Sequence, residues 1–494
     1  MRRLFLFLAV SILWITPLRA QNDGETFEQY KQRKQKEMAD YKQQKKTEFE
    51  DFRKKANEEY AAFLKQRWEE LQAFKGIEPP VEPKPPVPTP VEPDRKPTTD
   101  PIPYKKVVPL SPTPTLPQPL LPDIPPVTLP TSPSVQVDYY GLSQNVRVHP
   151  DMKIHLKNLS EDEIARAWIL FSDERFDITI HELLNMKAEL QLNDWGYVQL
   201  VRQFCNRFFG KTIDEAAILQ AYILSQSGVD MRLMRTNQHL YVAIPFTEAI
   251  YHRNYILVDD IPYYLFDQTD EKRFDVMNKS FAGGKVPSLR MNNTPSLPDR
   301  PTETRVLTSE RYPEIRVSMK ENQNLIDFYN DYPLTSKWNY YSLASLSEES
   351  KEMLYPMLKS KIGNLSESAA ANMLINFVQT AFEYATDQEQ FGYERPLFGD
   401  ETFYYPFSDC EDRSILYSIL VRDLLGLDVV LLHFPGHLAT AVRFSSDING
   451  DYLLIDNVKY IVCDPTYIGA SIGMAMPQYK EEGTEIEVVK IPYR

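Results

Sequence analysis

From residue 411 onward, apolar residues recur at helical spacing. Ile415, Ile419, Leu420 and Leu424 fall on one side, and the pattern stops at Gly426. This predicts an amphipathic helix closed by a glycine cap. The runs 429–434, 438–444, 452–455 and 460–462 are rich in Val, Leu, Ile and Tyr. Asn449-Gly450 and Asp456-Asn457 stand between them. They read as strands joined by tight turns. Upstream, 346–362 and 369–384 read as helices opened by Ser347 and Ser366, with short β-like runs at 304–307 and 315–319 before them.

Nearer the N-terminus the period changes. Tyr30, Tyr41, Phe52, Phe63 and Phe74 are spaced by eleven, as are Phe27, Met38, Phe49, Tyr60 and Leu71, in a background of Lys, Glu and Gln. Eleven residues make three helical turns, so residues 21–76 predict one long helix with a thin apolar stripe. At ~1.5 Å per residue it would reach roughly 80 Å. Such a stripe suits a solvated spacer helix, a self-associating coiled coil, or docking onto another protein. Residues 77–135 are dominated by Pro, as in EPPVEPKPPVPTPVEP, and read as an extended polyproline spacer.

The chain also repeats itself. GVDMRLMRTNQHLYVAI (228–244) aligns without gaps with GLDVVLLHFPGHLATAV (426–442), and YILVDDIPYYLFDQT (255–269) with YLLIDNVKYIVCDPT (452–466). His239 then matches His437, Asp267 matches Asp464, and Ile213 stands where Cys410 stands. This is an internal duplication, with a first copy over 136–290, a connecting β segment over 291–345 and a second copy over 346–494. The first copy has no thiol at the helix tip, and the neighbouring Thr212 is an unactivated hydroxyl, so that copy is expected to be catalytically dead. Its retained His and Asp could serve the fold through a bond between strands.

The second copy places Cys410 in the first turn of a helix, His437 at the start of a strand and Asp464 just after another. A helix N-terminus favours a thiolate. An adjacent imidazole would complete the activation, and a carboxylate on its far nitrogen would orient it. Gln379, on the preceding helix, is a candidate oxyanion donor or else an exposed helix glutamine; Cys205 aligns with it in the first copy. Ser408 and Glu411 fit a capping box, with Asp409, Glu411 and Asp412 complementing the helix dipole. Asp447–Asp451 begins like a calcium loop, but Val458 stands where Glu is required, so it reads as a hairpin turn.

Ser408-Asp409-Cys410-Glu411-Asp412, Pro435-Gly436-His437 and Cys463-Asp464-Pro465, in this order, resemble the transglutaminase-like superfamily, in particular bacterial transglutaminase-like cysteine proteinases. The resemblance covers roughly 370–470 and departs from the family at Ser408, where Gly is usual. It implies an α+β fold of two tandem transglutaminase-like (papain-like) domains, with Cys410 as nucleophile, His437 as general base and then acid, and Asp464 as orienting group. It also raises calcium as an alternative use of Asp409, Glu411 and Asp412.

Composition narrows the setting. A net charge of −14 gives no overall basic field for nucleic acid. Residues 1–20 have a basic start, an apolar core and Ala20, as in a secretory signal peptide cleaved after Ala20, and no later run is long enough to span a membrane. A periplasmic or secreted protein is expected. Its three cysteines are an odd number, so at least one is unpaired, and Cys463 should face away from Cys410. The sequence therefore points to an exported cysteine hydrolase acting on a protein or peptide. The alternatives are a cross-linking transglutaminase and a non-catalytic envelope scaffold.

Overall fold

The computed structural model describes residues 27–81, 84, 85, 87–91, 96, 98–110, 114–119, 133–210, 213–481 and 484–491. The expected signal peptide, Thr212 and parts of the proline-rich stretch lie outside them. The chain divides into two units, 1–53 and 54–494. It combines helices with largely antiparallel sheets, an α+β architecture. Among the described residues, no helix is long and apolar enough to cross a membrane.

The first unit's described residues are helical, part of the Phe27–Leu64 helix. Tyr30, Met38, Tyr41 and Phe52 of the stripe are exposed there, and pairs such as Arg33–Glu37 line the surface.

The expected helix over 21–76 ends early. It stops at Leu64, where the Trp68 indole donates to the Leu64 carbonyl. Glu69–Phe74 is instead a strand, with Leu71 and Ala73 turned into a small core. Tertiary pairing overrides helical spacing here, because this strand closes a barrel between Tyr255–Val258 and Arg273–Val276. The end of the long helix is also core rather than stalk. Tyr60 is buried 4.5 Å from the Trp168 ring, and Leu64 is fully buried.

Two parts of the 54–494 unit share one plan. The helix Ile213–Gln226 is followed by strands Arg232–Arg235, Leu240–Pro245, Tyr255–Val258 and Ile261–Leu265. The helix Cys410–Leu425 is followed by Asp428–Phe434, His437–Arg443, Tyr452–Ile455 and Val458–Cys463. The pairing order is the same, and so is the register: Ala243 faces Leu265 as Ala441 faces Val462. Both final hairpins turn on two left-handed residues, Asp259-Asp260 and Asp456-Asn457. The first set closes into the barrel. The second stays open and continues through Glu487–Lys490 to Lys106–Val108, the latter pairing in parallel.

That last strand corrects the reading of 77–135 as a free spacer. Its described residues form a belt on the 54–494 unit. Ile77 bridges Tyr251, Thr89 and Val91 bond Ile468, Thr98 bonds Asp451, and Ile102 bonds Tyr452. Proline suits this course because an extended segment held against a surface needs few of its own N–H groups. The expected connecting β segment over 291–345 does hold the hairpin of Arg305–Thr308 and Arg316–Met319. It also holds helices Gln323–Asn330 and Trp338–Leu343, too short for a periodicity argument to find. Ser347 and Ser366 cap the helices Glu348–Ile362 and Glu367–Thr380 as expected.

Candidate active site

The Cys410–Leu425 helix is buried on every side from Cys410 to Arg422, not along a single stripe. Its polar residues are satisfied internally, as a helix enclosed by protein requires. Ser414 donates to the Leu438 carbonyl, and the Arg413 guanidinium donates to Ser408 Oγ and to the carbonyls of Gln379 and Phe382. The expected capping box is shifted by one residue. Asp409 is the N-cap, and Asp412 accepts from the Asp409 N–H at 3.1 Å. Cys410 is thus the first residue of the helix.

His437 begins its strand directly after the Pro435-Gly436 turn, where Gly436 takes φ 70° and lets Phe434 pair with His437. Its Nε2 meets Asp464 Oδ2 at 2.9 Å, with both side chains buried. The other Asp464 oxygen accepts the N–H groups of Thr466 and Tyr467. Tyr479 stacks on the imidazole with centroids 5.0 Å apart and an interplanar angle of 1°. The ring is therefore fixed at its edge and on its face, leaving Nδ1 as the nitrogen a thiol could use.

Cys410 and His437 line the same cavity of about 610 Å³, together with Pro80, Lys84, Leu110, Trp338 and Glu394 among others. The Cys410 sulfur does not bond the ring; it donates to Glu411 Oε2 at 3.1 Å. Burial first, then the Glu411 and Asp409 carboxylates, push this thiol well above the ordinary value. This corrects the expectation of thiolate character from the helix terminus alone. Desolvation and two neighbouring carboxylates outweigh a terminal dipole, and the resting group is a thiol.

Gln379 is not an oxyanion donor. Its Nε2 donates to the carbonyls of Asp464, Tyr467 and Ala470 at 3.1, 2.8 and 3.1 Å, so the amide clamps the loop that carries Asp464. It is buried, not exposed. The donor that remains is the backbone N–H of Cys410, which as the first residue of a helix has no intrahelical partner.

The acidic residues are committed as well. Asp412 accepts the Leu397 N–H at 2.9 Å in addition to that of Asp409. The Lys84 ammonium lies 2.7 Å from Glu394, 2.8 Å from Asp409, in hydrogen-bond contact with Glu411, and 3.9 Å from Asp387. Burial disfavours that ammonium, but Glu411, Asp409, Cys410 and Asp387 outweigh it and raise its pKa. Asp409 is pushed up to about 7 and Asp412 to about 8, in both cases chiefly by burial. The carboxylates that a calcium ion would use therefore face an ammonium already in place or, for Asp412, backbone donors. The ligand atoms of Asp387, Glu394 and Glu411 lie within 4.8 Å of one another, close enough to hold a metal ion, and the Lys84 ammonium is the cation that meets them here.

Sequence reasoning missed Lys84, Tyr479, Arg413 and Asp387. Lys84 lies inside a proline run and Tyr479 near the C-terminus, and neither carries a local signal. All three cysteines are free, and Cys463 turns its sulfur toward the Ile461 carbonyl, away from the cavity. Comparison with family models, with curated proteins and with solved structures found no match.

Proposed function

We propose that the chain is a cysteine acyl-transfer enzyme of the transglutaminase-like type, with a degenerate first copy and a second copy that hydrolyses peptide or amide bonds. One observation carries the reading: an imidazole held by Asp464 and a helix-tip thiol open onto one cavity. In this reading His437 Nδ1 takes the Cys410 proton as the sulfur turns from Glu411. The sulfur then attacks the substrate carbonyl, and the oxyanion is held by the Cys410 N–H. The imidazolium protonates the leaving amine, and water, activated by the same ring, releases the acid from the thioester. With a lysine amine in place of water the same intermediate gives cross-linking. The basic and apolar pattern of residues 1–20 supports an exported setting for this chemistry.

Burial of the thiol favours a second reading, a non-catalytic scaffold. Iodoacetamide labelling followed by mass spectrometry separates the two. The enzyme predicts that Cys410 labels much faster than Cys205 and Cys463, and that His437→Ala abolishes the difference. Labelling of Cys410 as slow as that of Cys205 would leave the scaffold.

A further inference from the structure

Lys84 is separated from Glu411 by 327 positions, yet its ammonium sits among the carboxylates beside Cys410. A lysine ammonium has three N–H donors. Here they meet three carboxylates, those of Glu394, Asp409 and Glu411, with Asp387 behind them. The side chain is 7% exposed. Its backbone is not loose either: the Tyr384 hydroxyl donates to the Pro85 carbonyl at 2.9 Å, and the Ile468 N–H donates to the Thr89 carbonyl at 2.9 Å. On the other side, the His252 N–H donates to the Ile77 carbonyl at 2.9 Å. A long side chain thus reaches the site from an anchored and proline-stiffened backbone, which limits the entropy lost in holding it there.

Carboxylates this close together and out of water require a counter-charge. From this geometry we infer that Lys84 is the tethered cation of the site. It stands where a divalent ion would otherwise be needed, and it positions Glu411 and, through Glu411, the Cys410 thiol. The inference rests on the proposed use of Cys410 but concerns only the charge beside it. The proline-rich belt is thereby part of the site, not a spacer leading to it. Lys84 is a positioning residue, because it acts through the carboxylates and not on the substrate.

The test compares the unmodified chain with Lys84→Met and Lys84→Arg, each with and without millimolar calcium chloride. Two quantities are read: the rate of Cys410 alkylation by iodoacetamide and the melting temperature. Loss of a cation within ~4–6 Å of several carboxylates is expected to slow alkylation by about tenfold or more in Lys84→Met. Calcium restores the rate and raises the melting temperature of that variant, and Lys84→Arg keeps most of the rate. The unmodified chain responds to calcium in neither measurement. Alkylation of Lys84→Met at an unchanged or higher rate would overturn the inference and make the belt a lid. If Lys84→Met does not fold, the unmodified chain still decides, since a calcium-dependent rise in its melting temperature would show that the ammonium does not hold the cage. Because no turnover is measured, the inference survives even if His437→Ala leaves alkylation untouched and the enzymatic reading fails.

Discussion

His239 and His437 occupy equivalent positions where equivalent strands begin, His239 one residue before its strand and His437 at the first residue of its own. Asp267 and Asp464 follow equivalent strands, yet only one His–Asp pair meets. In the second copy the strand ladder runs to the last rung, Phe434 opposite His437, and the ring is delivered inward onto Asp464. In the first copy the paired strands end at Arg235 opposite Leu240, the Thr236 N–H still donates to the His239 carbonyl at 2.9 Å, and yet the His239 side chain stays 43% exposed. Its nearest carboxylate is Asp214, at 3.4 Å, while Asp267 pairs with Arg202. The frame alone therefore does not make a His–Asp bond, and the retained pair in the first copy does not serve the fold in that way. The bond in the second copy goes with a Pro435-Gly436 turn, where the first copy has Asn237-Gln238 in a turn of the same length.

The comparison can be broken most sharply at the carboxylates. Asp464→Asn should lower turnover by roughly ten-thousandfold, as loss of the orienting carboxylate does in a serine triad. Asp267→Asn should leave turnover unchanged and alter stability by less than about 1 kcal/mol, since the Arg202 pair is partly exposed. Equal effects in the two copies, measured by peptide hydrolysis and thermal melting, would refute the distinction. A thiol can also be grafted onto the first copy. Ile213→Cys should give a cysteine that labels no faster than a free thiol, because no Asp-held imidazole waits for it.

Gln379→Ala should cost about 1–3 kcal/mol, since the Ala470 carbonyl loses its donor while those of Asp464 and Tyr467 keep the N–H groups of Tyr467 and Ala470. Cys205→Ala, at the aligned place, should cost only about 1 kcal/mol in chemical denaturation, because a small apolar side chain is trimmed. A large loss of turnover in Gln379→Ala with no loss of stability would restore the oxyanion role rejected here.

A pH slope is expected from the second copy's helix start as well. Asp409 and Asp412 titrate in the folded chain at about 7 and about 8, against about 3.9 for an unfolded aspartate. A carboxyl with a raised folded value contributes stability that is complete below its unfolded value and lost as pH rises through the folded one. The melting temperature should therefore fall between about pH 4 and pH 8. Asp412→Asn should flatten part of that slope, even though it lowers stability at every pH by losing one backbone acceptor.

How much of this was legible in the sequence depends on the range of the interaction. Gly426, the Asp456-Asn457 turn, Ser347 and Ser366 are local signals, and each marks an element boundary within a residue or two. The repeat added the equivalence of the two frames, since matched spacing between turns imposes matched register. Of the three residues whose order stood out, Cys410 and His437 line one cavity and Asp464 bonds the ring from behind. The N-cap was read one residue early because Ser408 and Asp409 are both good caps, and the choice between them lies in side-chain geometry.

The tertiary structure alone decided where the long helix ends, what the proline-rich stretch does and in which state the thiol rests. Glu69–Phe74 keeps helical spacing but becomes a strand because two barrel edges are there to pair with it. Gln379 is drawn away from the cavity by three carbonyls of a loop 85 to 91 positions further on. Lys84 reaches the site only through chain folding. Periods and caps record what a residue does with its near neighbours. Burial, and the charges that burial brings together, arise between residues far apart in the chain, and no spacing in the sequence records them.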